Sequence, residues 1–104
     1  IRNEEELNIS VITVGEMFFG AQNSDFPQKN VEIYNNFFYQ FNVYNITEKT
    51  AKFYANIRYR LKKIGKPIPE NDIWIAAVSE ENNMTIVTRD RHLLEIDFIK
   101  TIEW

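Results

Sequence analysis

Short apolar runs alternate along the chain with apolar rows at helical spacing. Residues 9–14, ISVITV, are mostly β-branched and flanked by polar residues, which predicts a buried strand. Elsewhere apolar residues recur three and four positions apart, which predicts helices with one buried face. The predicted elements are, in order, a strand over 9–14, helices over about 14–22 and 28–41, a strand over 43–46, helices over about 48–64 and 70–81, a strand over 85–88, a short helix through 93–94 and a strand over 98–102.

The alternation of predicted strands and helices restricts the possible fold class. Strands separated by helices tend to pair in parallel, because a parallel connection needs a crossover segment long enough to hold a helix. We therefore predict an α/β fold of three layers, with a mostly parallel sheet between two layers of helices. A chain of 104 residues corresponds to a single domain.

The helix predicted over residues 48–64 has recognisable ends and two different faces. Thr47 suits the N-cap, Gly65 suits the C′ position, and Pro67 follows where the helix cannot continue. One face is apolar and the opposite face is mostly cationic. The cationic row consists of Lys49, Lys52, Asn56, Arg60 and Lys63. Such a row is either a solvated helix face or a contact for RNA phosphates.

The composition excludes several kinds of catalytic and metal-binding site, and it restricts the fold less. The absence of cysteine excludes disulfides, thiolate metal sites and cysteine nucleophiles, and the single histidine, His92, excludes a zinc site with several histidine ligands. The net charge is −3, so a nucleic-acid site has to be a local basic patch. No apolar run reaches the roughly 18 residues of a membrane span, and no signal-peptide pattern is present. We therefore expect no membrane association and a cytoplasmic location.

Three carboxylates are predicted to lie at one edge of the sheet. Glu16 is expected in the first turn of the first helix, Asp72 at the start of the helix over 70–81, and Asp90 just after the strand over 85–88. Ligand sites in open α/β sheets lie at the carboxyl ends of the strands. Acids in a shared cleft need hydrogen bonds or a cation, and their hard oxygen atoms suit Mg²⁺ or Mn²⁺.

Three segments in series carry a family resemblance. They are I-S-V-I-T-V-x-E at residues 9–16, I-P-x-N-D-x-x-I-A-A at residues 68–77 and T-I-V-T-R-D-R-H at residues 85–92. The chain resembles a PIN domain over nearly its whole length, and more narrowly the VapC-type toxin ribonucleases of bacterial and archaeal toxin–antitoxin pairs. The second and third segments are fairly specific in combination.

This resemblance implies a function and a set of site residues. It implies a magnesium-dependent endoribonuclease that acts on tRNA or rRNA, is held inactive by a VapB-like antitoxin, and forms a homodimer. Glu16, Asp72 and Asp90 match acidic residues of the family, which makes them the implied metal ligands and catalytic residues. Thr88 matches a hydroxyl position that supports the site.

The start of the chain departs from the family pattern. Family members begin with an apolar strand that ends in Asp, a principal metal ligand, and residues 1–8 contain no such strand. We expect a single PIN-like domain over residues 1–104 without its usual first strand. It is either N-terminally truncated, which we favour because the other acids remain, or a decayed and inactive member. The sequence encoded before Ile1 is expected to decide between these alternatives.

Simpler roles remain open for the three acids. Glu16 can be a first-turn acid stabilised by the helix dipole. Asn71 and Asp72 can cap the helix that they open, and Asp90 can cap the helix that follows it. Each of these roles explains one residue, whereas a shared metal explains all three together.

Other residues have two interpretations each. Arg89, Arg91 and His92 either hold RNA phosphates or pair with acids at the surface, and His92 is a weaker candidate for a general base. An aromatic set either fills the core or binds an antitoxin helix or a second copy. It consists of Phe18, Phe19, Tyr34, Phe37, Phe38 and Phe41. The alternatives for the whole protein are an inactive PIN-like interaction protein and a housekeeping RNA-processing nuclease without an antitoxin.

Overall fold

The computed structural model describes residues 7–103, and its contacts divide the chain between Asn45 and Ile46 into two compact units. None of the helices in the described residues is long and apolar enough to cross a membrane. The elements are, in order, β1 Leu7–Ser10, α1 Val11–Gln22, α2 Pro27–Phe38, β2 Phe41–Tyr44, α3 Glu48–Ile64, α4 Glu70–Glu81, β3 Ile86–Thr88, α5 Arg91–Leu94 and β4 Thr101–Glu103. Among these residues β1 pairs with β2 and β3 with β4, both in parallel, as predicted.

In the first unit the chain passes from strand to helix earlier than the apolar run predicts. The prediction of a strand over 9–14 is wrong from Val11 onward, because α1 begins at that residue. The hydroxyl of Ser10 accepts a hydrogen bond from the backbone N–H of Thr13 at 3.1 Å and so caps the helix. A local cap thus outweighs the strand preference of the β-branched residues that follow it.

A cluster of rings forms the apolar centre of the first unit. Phe38 is buried at the end of α2, and the ring of Phe18 meets it edge-on with 5.3 Å between centroids. Phe37 and Phe41 complete the contacts, with 4.9 Å between their own centroids. Part of the predicted aromatic set is therefore core. By contrast, Phe19 is exposed on α1.

In the second unit the predicted ends of α3 are confirmed. Thr47 is the N-cap, and a capping box links its side chain and backbone to Thr50. At the other end Gly65 has a φ of +69°, a left-handed conformation that glycine adopts without steric cost. Both signals act between residues close in sequence, which is why the pattern alone located them.

The core of the second unit is formed by α3, α4 and the segment around α5. Ala77 on α4 is fully buried, and the small side chains of Ala76 and Ala77 allow the neighbouring elements to approach closely. Rings join the same two helices at the side, where Tyr54 stacks on Trp74 with 4.0 Å between centroids. The core residues are Ile57, Leu61, Ile73, Ala76, Ala77, Leu93, Ile96 and Ile99.

The start of α4 differs from the sequence prediction. The helix begins at Glu70 with Pro69 at the N-cap position, and no side chain caps it. The interpretation of Asn71 and Asp72 as caps is therefore wrong. Pro69 has no backbone N–H to donate, and it precedes the first helical residue. Asp72 therefore lies inside the first turn, where its negative charge is favoured by the helix dipole.

A buried hydroxyl gives a test of the α3–α4 packing. Thr50 is fully buried and donates a 2.6 Å hydrogen bond to Oε1 of Glu81 at the end of α4. We expect Thr50→Val to lower the free energy of unfolding by about 1.5–3 kcal/mol, since it removes the donor to the Glu81 carboxylate and the acceptor for the backbone N–H of Thr47. Thr50→Ser, which keeps the hydroxyl, should cost about 1 kcal/mol for one lost methyl group. Urea denaturation measures both, and a Val variant as stable as the unchanged protein would contradict this account.

Candidate metal centre

Three side chains of the second unit converge into one cluster. One carboxylate oxygen of Asp72, one of Asp90 and one ring nitrogen of His92 all lie within 4.8 Å of one another. Asp72 comes from the first turn of α4, whereas Asp90 and His92 come from the start of α5. The two acids are half-buried and the histidine is exposed, so the cluster lies open to solvent on one side.

Asp90 is held in place by short-range hydrogen bonds. Its backbone N–H donates to Oγ1 of Thr88, the last residue of β3, at 2.9 Å. Its Oδ1 atom accepts from the backbone N–H of His92 at 2.8 Å and so caps α5. The capping role that the sequence left open for Asp90 is thus real. It coexists with a position in the cluster, because the cap also fixes where the carboxylate lies.

Asp72 is positioned by the contacts that its neighbours Glu70 and Trp74 make with α3. Two residues before it, the carboxylate of Glu70 accepts a short hydrogen bond from the hydroxyl of Tyr54 on α3 and lies 3.8 Å from Arg58. Two residues after it, Trp74 stacks on Tyr54. Donation of its hydrogen bond to Glu70 raises the pKa of the Tyr54 hydroxyl above its ordinary value. The same hydroxyl accepts from Arg58 and raises that guanidinium's pKa.

His92 is the cluster member that sequence reasoning did not assign to the metal centre. Its Nδ1 atom lies 3.0 Å from Oδ1 of Asp90, within hydrogen-bonding distance when the nitrogen carries a hydrogen. The signal was present in the Asp-x-His spacing, because an aspartate at an N-cap folds back over the residue two positions later. Its exposed ring can orient Asp90 or contribute a nitrogen ligand.

The two arginines that flank Asp90 differ in their surroundings. Nη2 of Arg91 lies 2.5 Å from Oε2 of Glu103 on β4, so this side chain is an exposed member of an ion pair. Such a contact corresponds to the simpler of its two interpretations. Arg89 is also exposed and follows β3 directly. An RNA contact by Arg89, Arg91 or His92 stays a prediction.

Glu16 belongs to the first unit and lies exposed in the second turn of α1. Its predicted place in the first turn of the helix is wrong, because α1 begins at Val11. The interpretation of Glu16 as a first-turn acid favoured by the helix dipole falls with it. Its role as a metal ligand stays a prediction.

A family model connects this geometry with known proteins. The PIN domain model matches residues 1–99. The chain belongs to the PIN-domain family. The fold prediction of a PIN-like α/β protein with parallel strands is thereby confirmed.

Individual relatives place this PIN-domain protein with the VapC type. It is 31% identical to ribonuclease VapC2 of Haemophilus influenzae over 104 residues, which are 99% of this chain and 79% of that protein. It is 26% identical to the tRNA(fMet)-specific endonuclease VapC of Shigella flexneri, over 98% of this chain and 78% of that protein. The structure of VapBC-1 from nontypeable H. influenzae superposes with a TM-score of 0.87 at 26% identity, over all of this chain and 78% of that one.

The residues of this PIN-domain protein fit a small divalent ion. Carboxylate oxygen atoms are the protein ligands that Mg²⁺ and Mn²⁺ prefer, and Asp72 and Asp90 supply them from two elements. Two ligands of one Mg²⁺ ion lie at most about 4.2 Å apart, because each is about 2.1 Å from it. The donor atoms of the cluster all lie within 4.8 Å of one another, so at most small side-chain rotations are needed to bring them onto one ion.

Binding of Mn²⁺ tests the cluster directly. We expect Asp90→Asn to weaken Mn²⁺ binding by at least about tenfold, since it removes a charged ligand. Asparagine is as good an N-cap as aspartate, so α5 should remain intact. Isothermal titration calorimetry measures the affinity. The matched control is Asp97→Asn, an exposed acid outside the cluster, which should bind Mn²⁺ like the unchanged protein. Equal affinities for both variants would contradict a metal centre at Asp90.

Proposed function

We propose that this chain is a metal-dependent endoribonuclease and the toxin of a toxin–antitoxin pair. The observation that carries the proposal is the convergence of Asp72 and Asp90 in a PIN-domain protein of the VapC type. Two acids from separate elements that meet in one open cluster are what a hydrolytic metal site requires. The name of the H. influenzae relative, a ribonuclease, supports the reaction class.

The roles of the residues follow from their contacts. Asp72 and Asp90 hold the ion, with Glu16 proposed as a further acid. An Mg²⁺ or Mn²⁺ ion, when bound, supplies Lewis-acid activation of water and offsets the charge that develops on the phosphodiester. The hydroxyl of Thr88 positions Asp90 by accepting a hydrogen bond from the backbone N–H of Asp90. The exposed residue His92 contacts the Asp90 carboxylate with its backbone N–H and with Nδ1 of its ring. A carboxylate held in this way needs little reorganisation when substrate arrives.

The substrate and partners are proposed from the relatives. A relative that is named as a tRNA(fMet)-specific endonuclease makes tRNA the first substrate class to test, with rRNA as the second. The similar VapBC structure supports an antitoxin partner for this chain. We further propose a homodimer and a cytoplasmic location, where tRNA and ribosomes are found.

Cleavage of tRNA with and without metal tests the proposed activity. The protein, expressed from its complete reading frame, should cut tRNA in Mg²⁺ or Mn²⁺ and should lose this activity in excess EDTA. Asp72→Asn should reduce the cleavage rate by at least the roughly 10–100-fold that outer-shell partners of a metal already cost. Gel analysis of end-labelled tRNA measures the rate.

The same assay separates the alternatives. Asp97→Asn is the matched control and should cleave at the rate of the unchanged protein, because Asp97 lies outside the cluster. Cleavage that persists unchanged in EDTA would defeat the metal mechanism. No cleavage of tRNA or rRNA under any condition would favour the inactive interaction protein. Cleavage without an antitoxin gene beside the reading frame would favour a housekeeping nuclease.

Glu16 needs a test of its own. If Glu16 takes part in the metal site, Glu16→Gln should lower the cleavage rate by about 10–100-fold. Glu32→Gln is the control, because Glu32 is an exposed acid on α2 in the same unit and its loss changes the net charge equally. The ratio of the two rates at saturating Mg²⁺ is the measurement. A ratio near one would remove Glu16 from the site and leave Asp72 and Asp90 in place.

A further inference from the structure

The positive charge of the chain is concentrated on one segment. Seven of the twelve lysines and arginines lie between residues 49 and 66, a range that contains no Asp or Glu. The whole chain carries a net charge of −3. Nearly all of this segment is α3, so a strongly cationic helix stands out from an acidic background.

Within α3 the charges are sorted by face. Thr50, Ile57 and Leu61 are buried on one side of the helix. The side opposite to them is exposed, and we call it the cationic face. The cationic face consists of Lys52, Asn56, Tyr59, Lys62 and Lys63, which recur at the three- and four-residue spacing of one helix face. At 1.5 Å per residue it is about 16 Å long.

Arg60, which lies beside this face, is engaged in packing, unlike two lysines of the face itself. Arg60 lies over the ring of Phe98 at 3.8 Å and 3.7 Å from Glu80. Lys52 and Lys62, by contrast, form no ion pair with an acidic side chain of residues 7–103. Their charges are therefore available to a polyanion in solution.

An exposed aromatic ring lies among these charges. Tyr59 has 59% of its surface exposed, and Nζ of Lys63 lies 5.5 Å from the centroid of its ring. An exposed ring flanked by cations is the arrangement on which proteins stack bases of single-stranded nucleic acid while lysines hold the phosphates. Duplex RNA offers no free base face to such a ring.

The same helix borders the turn that carries Asp72. Tyr54 and Arg58, near the middle of α3, contact Glu70, two residues before Asp72. The cationic face and the candidate metal centre therefore belong to one packed unit.

We propose that the cationic face of α3 docks a single-stranded part of the substrate RNA, with phosphates against Lys52, Lys62 and Lys63 and one base on Tyr59. The proposal rests on the proposed function for its choice of RNA as the polyanion. It adds a docking surface outside the metal centre, which should act on substrate affinity and leave the chemical step unchanged.

Direct binding in EDTA tests the charges without requiring cleavage. The full-length protein is titrated into a fluorescein-labelled single-stranded 12-mer RNA, which is longer than the cationic face, and anisotropy is recorded from about 50 to 200 mM salt. The double variant Lys52→Gln/Lys62→Gln should lower the slope of log affinity against log salt by about 1.4, since each lost phosphate contact contributes about 0.7. The charge-matched control is Lys29→Gln/Lys100→Gln, with Lys29 on α2 and Lys100 bonded to Asn83.

A second pair of variants tests the ring. Tyr59→Ala should weaken binding of the single strand by about 5- to 150-fold, the range that corresponds to loss of one stacked base. Tyr59→Phe keeps the ring and should bind like the unchanged protein. Neither variant should alter binding to a duplex of the same length. If duplex and single strand lose affinity equally in Tyr59→Ala, the stacking role is overturned.

The outcomes separate this proposal from the proposed nuclease function. A double variant and control with the same salt slope, or an unchanged protein that does not bind RNA in EDTA, would overturn the docking surface. If cleavage is observed, the double variant should raise KM and leave kcat near that of the unchanged protein. Binding through the cationic face without cleavage in Mg²⁺ would instead refute the nuclease function and leave the docking surface in place.

Discussion

The contact between α3 and α4 is the interaction on which the rest of the second unit depends. The buried alanines of α4 allow the two helices to approach closely, and the hydrogen bond from Thr50 to Glu81 joins them at one end. At the other end of α4, Tyr54 from the middle of α3 binds Glu70 and stacks on Trp74. These contacts hold the first turn of α4, so the position of Asp72 is a consequence of core packing.

The candidate metal centre combines this packing with local hydrogen bonding. Asp90 is oriented by Thr88 and by the first turn of α5, and needs no distant contact to hold its direction. Asp72, in contrast, owes its position to a neighbouring helix. A site built from one locally fixed acid and one acid fixed by packing keeps both carboxylates in place before any ion arrives. It also leaves them half-exposed, which limits the cost of placing two negative charges together.

The distribution of charge within the second unit is consistent with the proposed function. Acids gather at the start of α4 and α5, and cations gather on α3. In the function proposed above, the cations would attract RNA phosphates and the acids would hold the metal on which cleavage depends. The cationic face lies opposite the buried side of α3, whereas Arg58 and Arg60 of the same helix lie beside Glu70 and Glu80 of α4.

The sequence by itself determined the features that depend on residues close together along the chain. Thr47 and Gly65 mark the ends of α3 because a cap is a hydrogen bond, or a φ angle, within a single turn. A local cap also explains why the prediction for residues 9–14 was wrong. The β-branched run indicated a strand, whereas Ser10 caps a helix that begins at the next residue. Only the tertiary structure decided that Asp72, Asp90 and His92 share one cluster, and that Arg91 pairs with Glu103. The contacts of Asp72 with the other two residues, and of Arg91 with Glu103, join separate elements. The free energy that brings these elements together comes from burial of the apolar residues of the shared core.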